Sequence, residues 1–259
     1  MPAARRISEI SATDLRELNS GLRDTRNLVE WLAIDQVKLV KALNAQLTDK
    51  PFCWSASDFE KVLKVANDCK PLGVVKRIAL LSEAFHKVIT DNKDLFQYCA
   101  KHTSDMVRSL AVISTRYDNS LGFGERLKIV EPFAADVSMS TRECAWDAWR
   151  SWFAKDIEGS ISHLKNWTIH QSEGVRRCAV EGTRPCGVWT HHIPKLKVNP
   201  ELGLPIIEPL MNDPSRYVQN AVGNWLNDAS KYNPDWVREV SRNWSKKSSS
   251  KETEYILKR

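Results

Sequence analysis

The chain has 259 residues and a formal net charge of +6, with 42% hydrophobic and 27% charged residues. This composition excludes a disordered chain and suits a globular protein with a continuous core. No apolar run is long enough for a transmembrane helix, and residues 1–10 lack the apolar segment of a signal peptide. We therefore expect a cytoplasmic protein with no membrane partner.

Hydrophobic residues recur at helical spacing through most of the chain, which predicts an all-α fold. Helix starts carry the expected signals, such as proline in the first turn at Asn233-Pro234-Asp235. We expect a helical segment over 1–50 and a repeat domain over 51–259, joined in one continuous domain, with another helix opening at 252–259. The predicted helices span 27–47, 58–69, 74–90, 93–101, 104–117, 124–135, 140–154, 157–167, 173–182, 203–212, 215–231 and 234–246.

Cysteine and histidine spacing argues against a metal site. The six cysteines form no CxxC pair, and the six histidines show no HxxxH or HExxH spacing. The sequence also lacks the glycine-rich patterns GxGxxG and GxxxxGK[ST] that bind nucleotides. We therefore expect free thiols, no metal and no cofactor.

A five-residue motif recurs four times, as VRSLA from 107, TRECA from 141, VRRCA from 175 and VQNAV from 218. The starts are separated by 34, 34 and 43 residues. Such spacing is typical of paired-helix solenoids, so we predict a HEAT-like repeat α-solenoid of antiparallel helix pairs with a concave surface. Chance recurrence is the alternative, but the spacing, the basic residue and the small residue recur together, which favours a true repeat.

The repeat register places a polar side chain at the same position in three of the four repeats. Two residues after the small residue come Ile113, Asp147, Glu181 and Asn224, and Asp228 lies one turn beyond Asn224. A row of acids beside a basic surface is electrostatically unfavourable for DNA binding, so it indicates chemistry. The alternative, equally open from the register alone, is that these acids form structural ion pairs with Arg176, Arg177, Arg184 or Lys231.

Tryptophan is unusually frequent, with ten residues, eight of them at or after Trp146. We expect about two-thirds of the indoles to fill the core between helices. The others are candidates for stacking on bases or on cationic rings.

Segment 175–185, VRRCAVEGTRP, followed by Trp189, resembles the EGTRP…W signature of the AlkC/AlkD-type DNA alkylation-repair glycosylases. Segments 213–218 (DPSRYV) and 222–228 (VGNWLND) resemble the same family, as do 96–107 and 141–152. The resemblance spans residues 50–259 and is closest to the AlkC branch.

The resemblance implies a monofunctional glycosylase of base excision repair. Such an enzyme hydrolyses the N-glycosidic bond of a cationic alkylated base, for example 3-methyladenine or 3-methylcytosine. By position, Glu181 and Asp228 fall on family active-site acids, and Trp189 falls on an active-site aromatic residue.

A departure from the family pattern occurs at the third acid of the AlkC branch. That acid would fall near Trp146, where this chain has an indole. Glu143, one turn earlier, and Asp147, the next residue, are the candidate substitutes.

The implied chemistry suits these residue types. A cationic base leaves without strong help from a general acid, and the sugar develops oxocarbenium character that a carboxylate stabilises. An indole face attracts a cationic base or sugar by roughly 0.5–2 kcal/mol.

The implied partner is double-stranded DNA containing alkylated bases, bound by a monomer at the nucleoid. Basic residues near the signature are candidates for phosphate contacts, and Lys195 and Lys197 extend the set. Asn224 and Asn227 are taken as structural. The predicted DNA-binding residues are Arg142, Trp146, Arg176, Arg177, Arg184, Arg216 and Lys231.

Two other functional classes stay open. A non-catalytic DNA-binding HEAT-repeat protein would hold Glu181 and Asp228 in structural ion pairs. A protein-interaction scaffold would bind DNA weakly and without salt dependence, because only phosphate neutralisation produces a salt slope.

Overall fold

The computed structural model describes residues 4–259, and within that range it contains helices and no strand. The predicted all-α, HEAT-like fold is confirmed. Short 3-10 helices lie at Ile7–Glu9, Thr115–Tyr117, Pro200–Gly203 and Glu208–Leu210. The α-helices are α1 (Ala12–Asn19), α2 (Leu28–Ala33), α3 (Gln36–Leu47), α4 (Ala56–Asp68), α5 (Val74–Ile89), α6 (Lys93–Ala100), α7 (Asp105–Ser114), α8 (Phe123–Ala134), α9 (Met139–Lys155), α10 (Ile157–Thr168), α11 (Glu173–Gly182), α12 (Pro194–Val198), α13 (Leu204–Ile207), α14 (Arg216–Ser230), α15 (Pro234–Lys247) and α16 (Lys251–Leu257).

Two predicted helices differ from the structure. The helix expected over 27–47 is divided into α2 and α3, because the Asp35 side chain accepts from the backbone N–H groups of Val37 and Lys38 and so caps a new helix. The helix expected over 203–212 is a series of short turns, since Pro205 and Pro209 lack the N–H that a continuous helix needs. The expected last helix is confirmed as α16.

The chain forms two compact units. Unit 1 comprises the residues up to Ser120 together with Asp136–Ala148, and unit 2 comprises Leu121–Ala135 and Trp149–Arg259. In unit 1, α3 packs on α4, α4 on α5, and α5 and α6 on α7. In unit 2, α10 packs on α11, α11 on α14, and α15 and α16 on α14. Within residues 4–259, no helix combines the length and apolar character that crossing a bilayer requires.

Tryptophans dominate the core of unit 2. Trp149, Trp225 and Trp244 are at most 1% exposed. The Trp149 ring meets Phe153 and Trp167 edge-on, with ring centroids 6.0 and 6.2 Å apart. Six of the ten indoles are buried in the described residues, which confirms the expected share of core-filling tryptophans.

A repeated hydrogen-bond pattern gives the four motifs a common structural role. The second residue of each motif donates to the carbonyl six residues earlier, at 2.6–2.8 Å, and the three arginines also donate to the carbonyl five residues earlier, at 2.9–3.0 Å. These side chains therefore close the loop before each helix. They are Arg108, Arg142, Arg176 and Gln219.

The same loops share a second contact. The side chain of the residue six before each closing residue accepts from the backbone N–H of a serine two residues later, at 2.7–3.0 Å. The acceptors are His102, Asp136, His170 and Asp213. The full repeated pattern is therefore His/Asp-x-Ser-x-x-x-Arg/Gln, and its common geometry confirms a true repeat. A related turn precedes α16, where the Ser250 N–H donates to Ser248 Oγ at 3.3 Å.

Candidate active site

The EGTRP segment forms the C-terminal end of α11 and the turn that follows it. Gly182 is the last helical residue, and a Cβ at this position would overlap the ring of Trp149. The Thr183 hydroxyl donates to the carbonyl four residues earlier at 2.9 Å, and the Thr183 carbonyl accepts from Trp225 Nε1 at 3.0 Å. The residues after Glu181 therefore fix the backbone that carries this acid.

Glu181 of α11 and Asp228 of α14 share the guanidinium of Arg184. Arg184 Nη1 lies 3.0 Å from Glu181 Oε2, and Arg184 Nε lies 2.8 Å from Asp228 Oδ2. The two acidic side chains are only 7% and 3% exposed. Acids from consecutive repeats therefore converge within unit 2, as the register predicts for this pair.

Two further cations complete what we call the acid–arginine cluster, consisting of Arg177, Glu181, Arg184, Asp228 and Lys231. Arg177 lies 3.5 Å from Glu181 Oε1, and Lys231 Nζ lies 2.9 Å from Asp228 Oδ1. The hydrogen bond to Asp228 raises the pKa of Lys231. Burial acts to lower the pKa of Arg184, but the two carboxylates outweigh it and raise that pKa.

The contacts also match the alternative interpretation of the acids as structural ion pairs. Their partners are Arg177, Arg184 and Lys231, whereas Arg176 pairs with Asp213 at 2.6 Å. Ion pairing and chemistry are compatible, because fixed cations hold carboxylates in one orientation. The cluster therefore offers two positioned anionic groups with little access to bulk water.

Trp189 lies on the segment 183–193 that joins α11 to α12, and its side chain is half-buried. The Ile193 N–H donates to the Pro185 carbonyl at 3.0 Å, which closes this segment. A Cβ on Gly187 would overlap the Thr190 carbonyl, so the chain turns tightly beside the indole. The structure thus places Trp189 on a constrained turn in the same unit as the acid–arginine cluster.

The remaining predicted acids lie in unit 1. Glu143 accepts from Trp146 Nε1 at 3.0 Å, and that indole is 3% exposed. Asp147 is 5% exposed and forms an ion pair with Arg116, which also donates to the Asp147 carbonyl at 2.8 Å. Trp146 is therefore a core residue of unit 1. The expected alignment of Asp147 with Glu181 joins residues of different units and stays a prediction.

Two of the predicted DNA-binding arginines have a structural task. Arg142 and Arg176 close the loops before their helices, and Arg176 also pairs with Asp213 through two hydrogen bonds of 2.6 and 3.1 Å. A guanidinium held by two carbonyls, and in Arg176 also by a buried carboxylate, is costly to divert to a phosphate. We therefore leave both out of the proposed DNA contacts.

The other basic candidates of unit 2 differ in their surroundings. Arg216 is exposed and its guanidinium lies 3.5 Å from the ring centroid of Tyr255. Lys195 pairs with Glu158 at 2.6 Å, and the Lys197 ammonium lies 4.5 Å from the ring centroid of Tyr232. Of these three, Arg216 is the candidate best suited to a phosphate.

Sequence reasoning missed two residues beside the cluster. Tyr217 lies under the Arg177 guanidinium, 4.3 Å from ring centroid to Cζ. Arg150 is 3% exposed and donates to main-chain carbonyls next to Glu181. The signal for Arg150 was present, because Arg116, Arg150 and Arg184 are spaced by 34 residues, which is the repeat period.

Residues 125–250 match the family model described as DNA alkylation repair enzyme. This match covers just under half of the chain. The matched region contains the whole acid–arginine cluster and Trp189. Uncharacterized protein YhaZ of Bacillus subtilis is 42% identical over 120 residues, which are 46% of this chain and 32% of YhaZ.

Three solved structures share the fold of this chain. The Pseudomonas fluorescens alkylpurine DNA glycosylase AlkC, bound to DNA containing an abasic site analogue, has a TM-score of 0.67 at 24% identity, covering 86% of this chain and 61% of AlkC. Streptococcus mutans smu.31 and AlkD2 each have a TM-score of 0.55, at 24% and 25% identity, covering 86% and 85% of this chain and 96% of their own. The chain therefore spans about a third of YhaZ and less than two-thirds of AlkC.

Proposed function

We propose that this protein is a DNA glycosylase that hydrolyses the N-glycosidic bond of cationic alkylated bases in double-stranded DNA. The observation that carries the proposal is the convergence of Glu181 and Asp228 on Arg184, inside the region that matches the DNA alkylation repair enzyme family. The fold shared with AlkC, a DNA-bound alkylpurine glycosylase, supports it.

In the proposed reaction the C1′–N bond breaks, and its electron pair neutralises the cationic base. The base then leaves without gaining a proton, and the sugar becomes an oxocarbenium-like cation. A carboxylate of the cluster stabilises this cation and orients the water that adds to C1′, and the proton of the water passes to a carboxylate or to solvent. Trp189 offers an indole face to the base or the sugar.

The ion pairs must leave one carboxylate oxygen to the sugar, and Asp228 is the better placed acid for this. Its Oδ2 is held by Arg184, whereas its Oδ1 is bonded by Lys231, whose side chain is 54% exposed. A backbone phosphate that attracts the Lys231 ammonium would free Oδ1 while Arg184 keeps Asp228 in place. Glu181 is held by both Arg177 and Arg184, and its negative charge then adds to the stabilisation of the sugar cation.

The substrate class follows from this chemistry. Lesions such as 3-methyladenine and 3-methylcytosine carry the positive charge that makes the base a good leaving group. The proposed phosphate contacts are Arg216 and Lys231, whereas Arg177 and Arg184 hold the two acids, and the enzyme would act as a monomer on the nucleoid.

Incubation of the purified protein with methylated duplex DNA tests the proposal. We expect release of free 3-methyladenine or 3-methylcytosine, identified by chromatography and mass spectrometry. A monofunctional enzyme leaves intact strands that break at the abasic site only after alkali. Folded protein that releases no base from any methylated duplex would contradict the proposal.

A second candidate, a non-catalytic DNA-binding HEAT-repeat protein, is favoured by one observation. Glu181 and Asp228 are ion-paired and nearly inaccessible, as structural ion pairs are. This candidate predicts salt-dependent binding to DNA with no base release. The base-release experiment, combined with a binding titration, separates the two functions.

A further inference from the structure

Arg150 is a buried arginine in the part of α9 that belongs to unit 2, with 3% of its surface exposed. Its Nη1 donates to the Gly182 carbonyl at 2.8 Å, and its Nη2 donates to the Arg184 carbonyl at 2.8 Å. The His191 carbonyl accepts from Nη2 at 2.9 Å and from Nε at 3.2 Å. All three nitrogens of this guanidinium therefore donate to main-chain oxygens.

These three carbonyls lie at the two ends of one segment. Gly182 and Arg184 are at the end of α11, where helix carbonyls lack partners within the helix. His191 lies two residues before Ile193, whose N–H donates back to Pro185. Arg150 thus joins the beginning of segment 183–193 to its end, and Trp189 lies between the two.

The charge of Arg150 also acts on the acid–arginine cluster. Burial lowers the pKa of Arg150 to about 10, and Arg184 lowers it further, while Asp228 and Glu181 oppose this decrease. A guanidinium with that pKa stays protonated at neutral pH. The carboxylates of the cluster are therefore close enough to a fourth cation to interact with it.

The repeat register shows that Arg150 differs from its counterparts. Arg116 and Arg184 reach a carboxylate in the following repeat, Asp147 and Asp228 respectively. Arg150 instead reaches the main chain of the following repeat at three carbonyls. Arg150 thus binds the backbone of the EGTRP repeat, where its counterparts bind a carboxylate.

We propose that Arg150 is a positioning residue for the glycosylase reaction, an inference that rests on the proposed function. Its guanidinium fixes segment 183–193, so that Trp189 and Arg184 are held relative to Glu181 and Asp228. Lysine cannot replace it, because a single ammonium nitrogen cannot satisfy three carbonyls spread around a planar guanidinium.

The test compares Arg150→Lys with Arg126→Lys. Arg126 is another buried arginine of unit 2, and its guanidinium lies 4.3 Å from the ring centroid of Trp152 and 3.4 Å from the Leu121 carbonyl. Hydrogen–deuterium exchange reports the order of segment 183–193. Single-turnover base release at saturating protein reports the chemical step, and titration with undamaged duplex reports DNA binding.

We expect R150K to exchange faster over 183–193 and to release base at least about tenfold more slowly, since small misplacements of reacting groups are that costly. Its affinity for undamaged duplex should stay within about twofold of the wild type, because no phosphate contact is lost. R126K should lose thermal stability but keep the wild-type exchange of 183–193 and the wild-type rate. If R150K does not fold, Arg150→Gln, which retains one amide donor, takes its place.

Wild-type exchange and rate in folded R150K would overturn the inference. An equal loss of rate in R126K would also overturn it, because the loss would then follow stability alone. If the wild type releases no base, the proposed function fails and the role of Arg150 in catalysis fails with it. Exchange of 183–193 in R150K would still report whether the guanidinium orders this segment.

Discussion

Gly182 lies directly against the six-membered ring of Trp149, and the ring occupies the space that any side chain at Gly182 would need. We therefore expect Gly182→Ala to lower the free energy of unfolding by roughly 1–3 kcal/mol, the usual cost of overpacking a core. Urea unfolding followed by circular dichroism measures the change. Gly73→Ser is the control, since nothing lies within 4 Å of a Cβ at that position. Equal stability of G182A and the wild type would show that Trp149 moves aside freely.

Asp228→Asn tests the role of the cluster in the chemical step. The amide keeps the shape of the side chain but removes the negative charge that would stabilise the sugar cation. We expect single-turnover base release to fall by about 100-fold or more, with the affinity for undamaged duplex within about threefold of the wild type.

Asp235→Asn is the matched control for this substitution. Asp235 is an exposed acid of unit 2 that pairs with Arg238 on α15. The same change of charge at this position should leave base release unaltered. If D228N excises bases at the wild-type rate, Asp228 is a structural ion-pair partner and not a catalytic group.

Arg216→Gln tests a phosphate contact. If Arg216 neutralises one phosphate, the slope of log Kobs against log salt should become less steep by about 0.9. Fluorescence anisotropy of labelled duplex at several salt concentrations measures this slope. Arg238→Gln removes the same charge from an arginine that already pairs with Asp235, and we expect it to leave the slope unchanged. An unaltered slope in R216Q would remove Arg216 from the DNA interface.

Arg176→Met should lower stability without affecting the salt slope. Arg176 is held by Asp213 and by two loop carbonyls, so its loss leaves a nearly buried carboxylate unpaired. We expect a decrease of about 2–3 kcal/mol in the free energy of unfolding. Lys195→Met, which removes one partner of an exposed pair, should change stability by less than about 1 kcal/mol. A reduced salt slope in R176M would instead identify Arg176 as a DNA contact.

Stability should fall in acid because of His102. Burial lowers the pKa of His102 to about 4, with Arg108 acting in the same direction, whereas an unfolded histidine has a pKa of about 6.5. Between these values the unfolded chain binds a proton that the folded protein excludes. The free energy of unfolding therefore decreases as pH drops from about 6.5 to about 4, by up to about 3 kcal/mol.

Both ring nitrogens of His102 lie within hydrogen-bond distance of a partner in the folded protein. Nδ1 accepts from the Ser104 N–H at 3.0 Å, and Nε2 lies 2.6 Å from Gln46 Oε1. A proton on Nδ1 would break the turn. His102→Asn keeps an acceptor for Ser104 but does not titrate, so urea unfolding at about pH 7 and pH 4.5 should show a smaller pH dependence in this variant. An unchanged pH dependence would assign the effect to other groups.

Much of the fold was accessible from sequence because it depends on local patterns. Helical spacing and the recurring motif predicted the all-α repeat fold, and the motif register predicted the approach of Glu181 and Asp228. The break at Asp35 was missed because a cap of two hydrogen bonds outweighs a continuous hydrophobic pattern. An aspartate that could cap a helix is visible in the sequence. Whether it does so depends on the backbone conformation, which tertiary packing determines.

The roles of the arginines could not be read from the sequence. Arg142 and Arg176 look like exposed basic residues, yet they close loops, because a guanidinium reaches carbonyls five and six residues back. The histidine or aspartate six positions earlier was the available signal. The ion pairs of the cluster depend on which side chains α11 and α14 present to each other, and that is a property of packing.

The hydrogen bonds that close the turn before each motif join residues within seven positions of one another. Extra residues can therefore be inserted between two turns while each turn keeps its shape. The third and fourth motifs are separated by 43 residues instead of 34, and the additional length includes the segment with Trp189. Homologous chains that differ in length should vary here, where the repeat tolerates insertion.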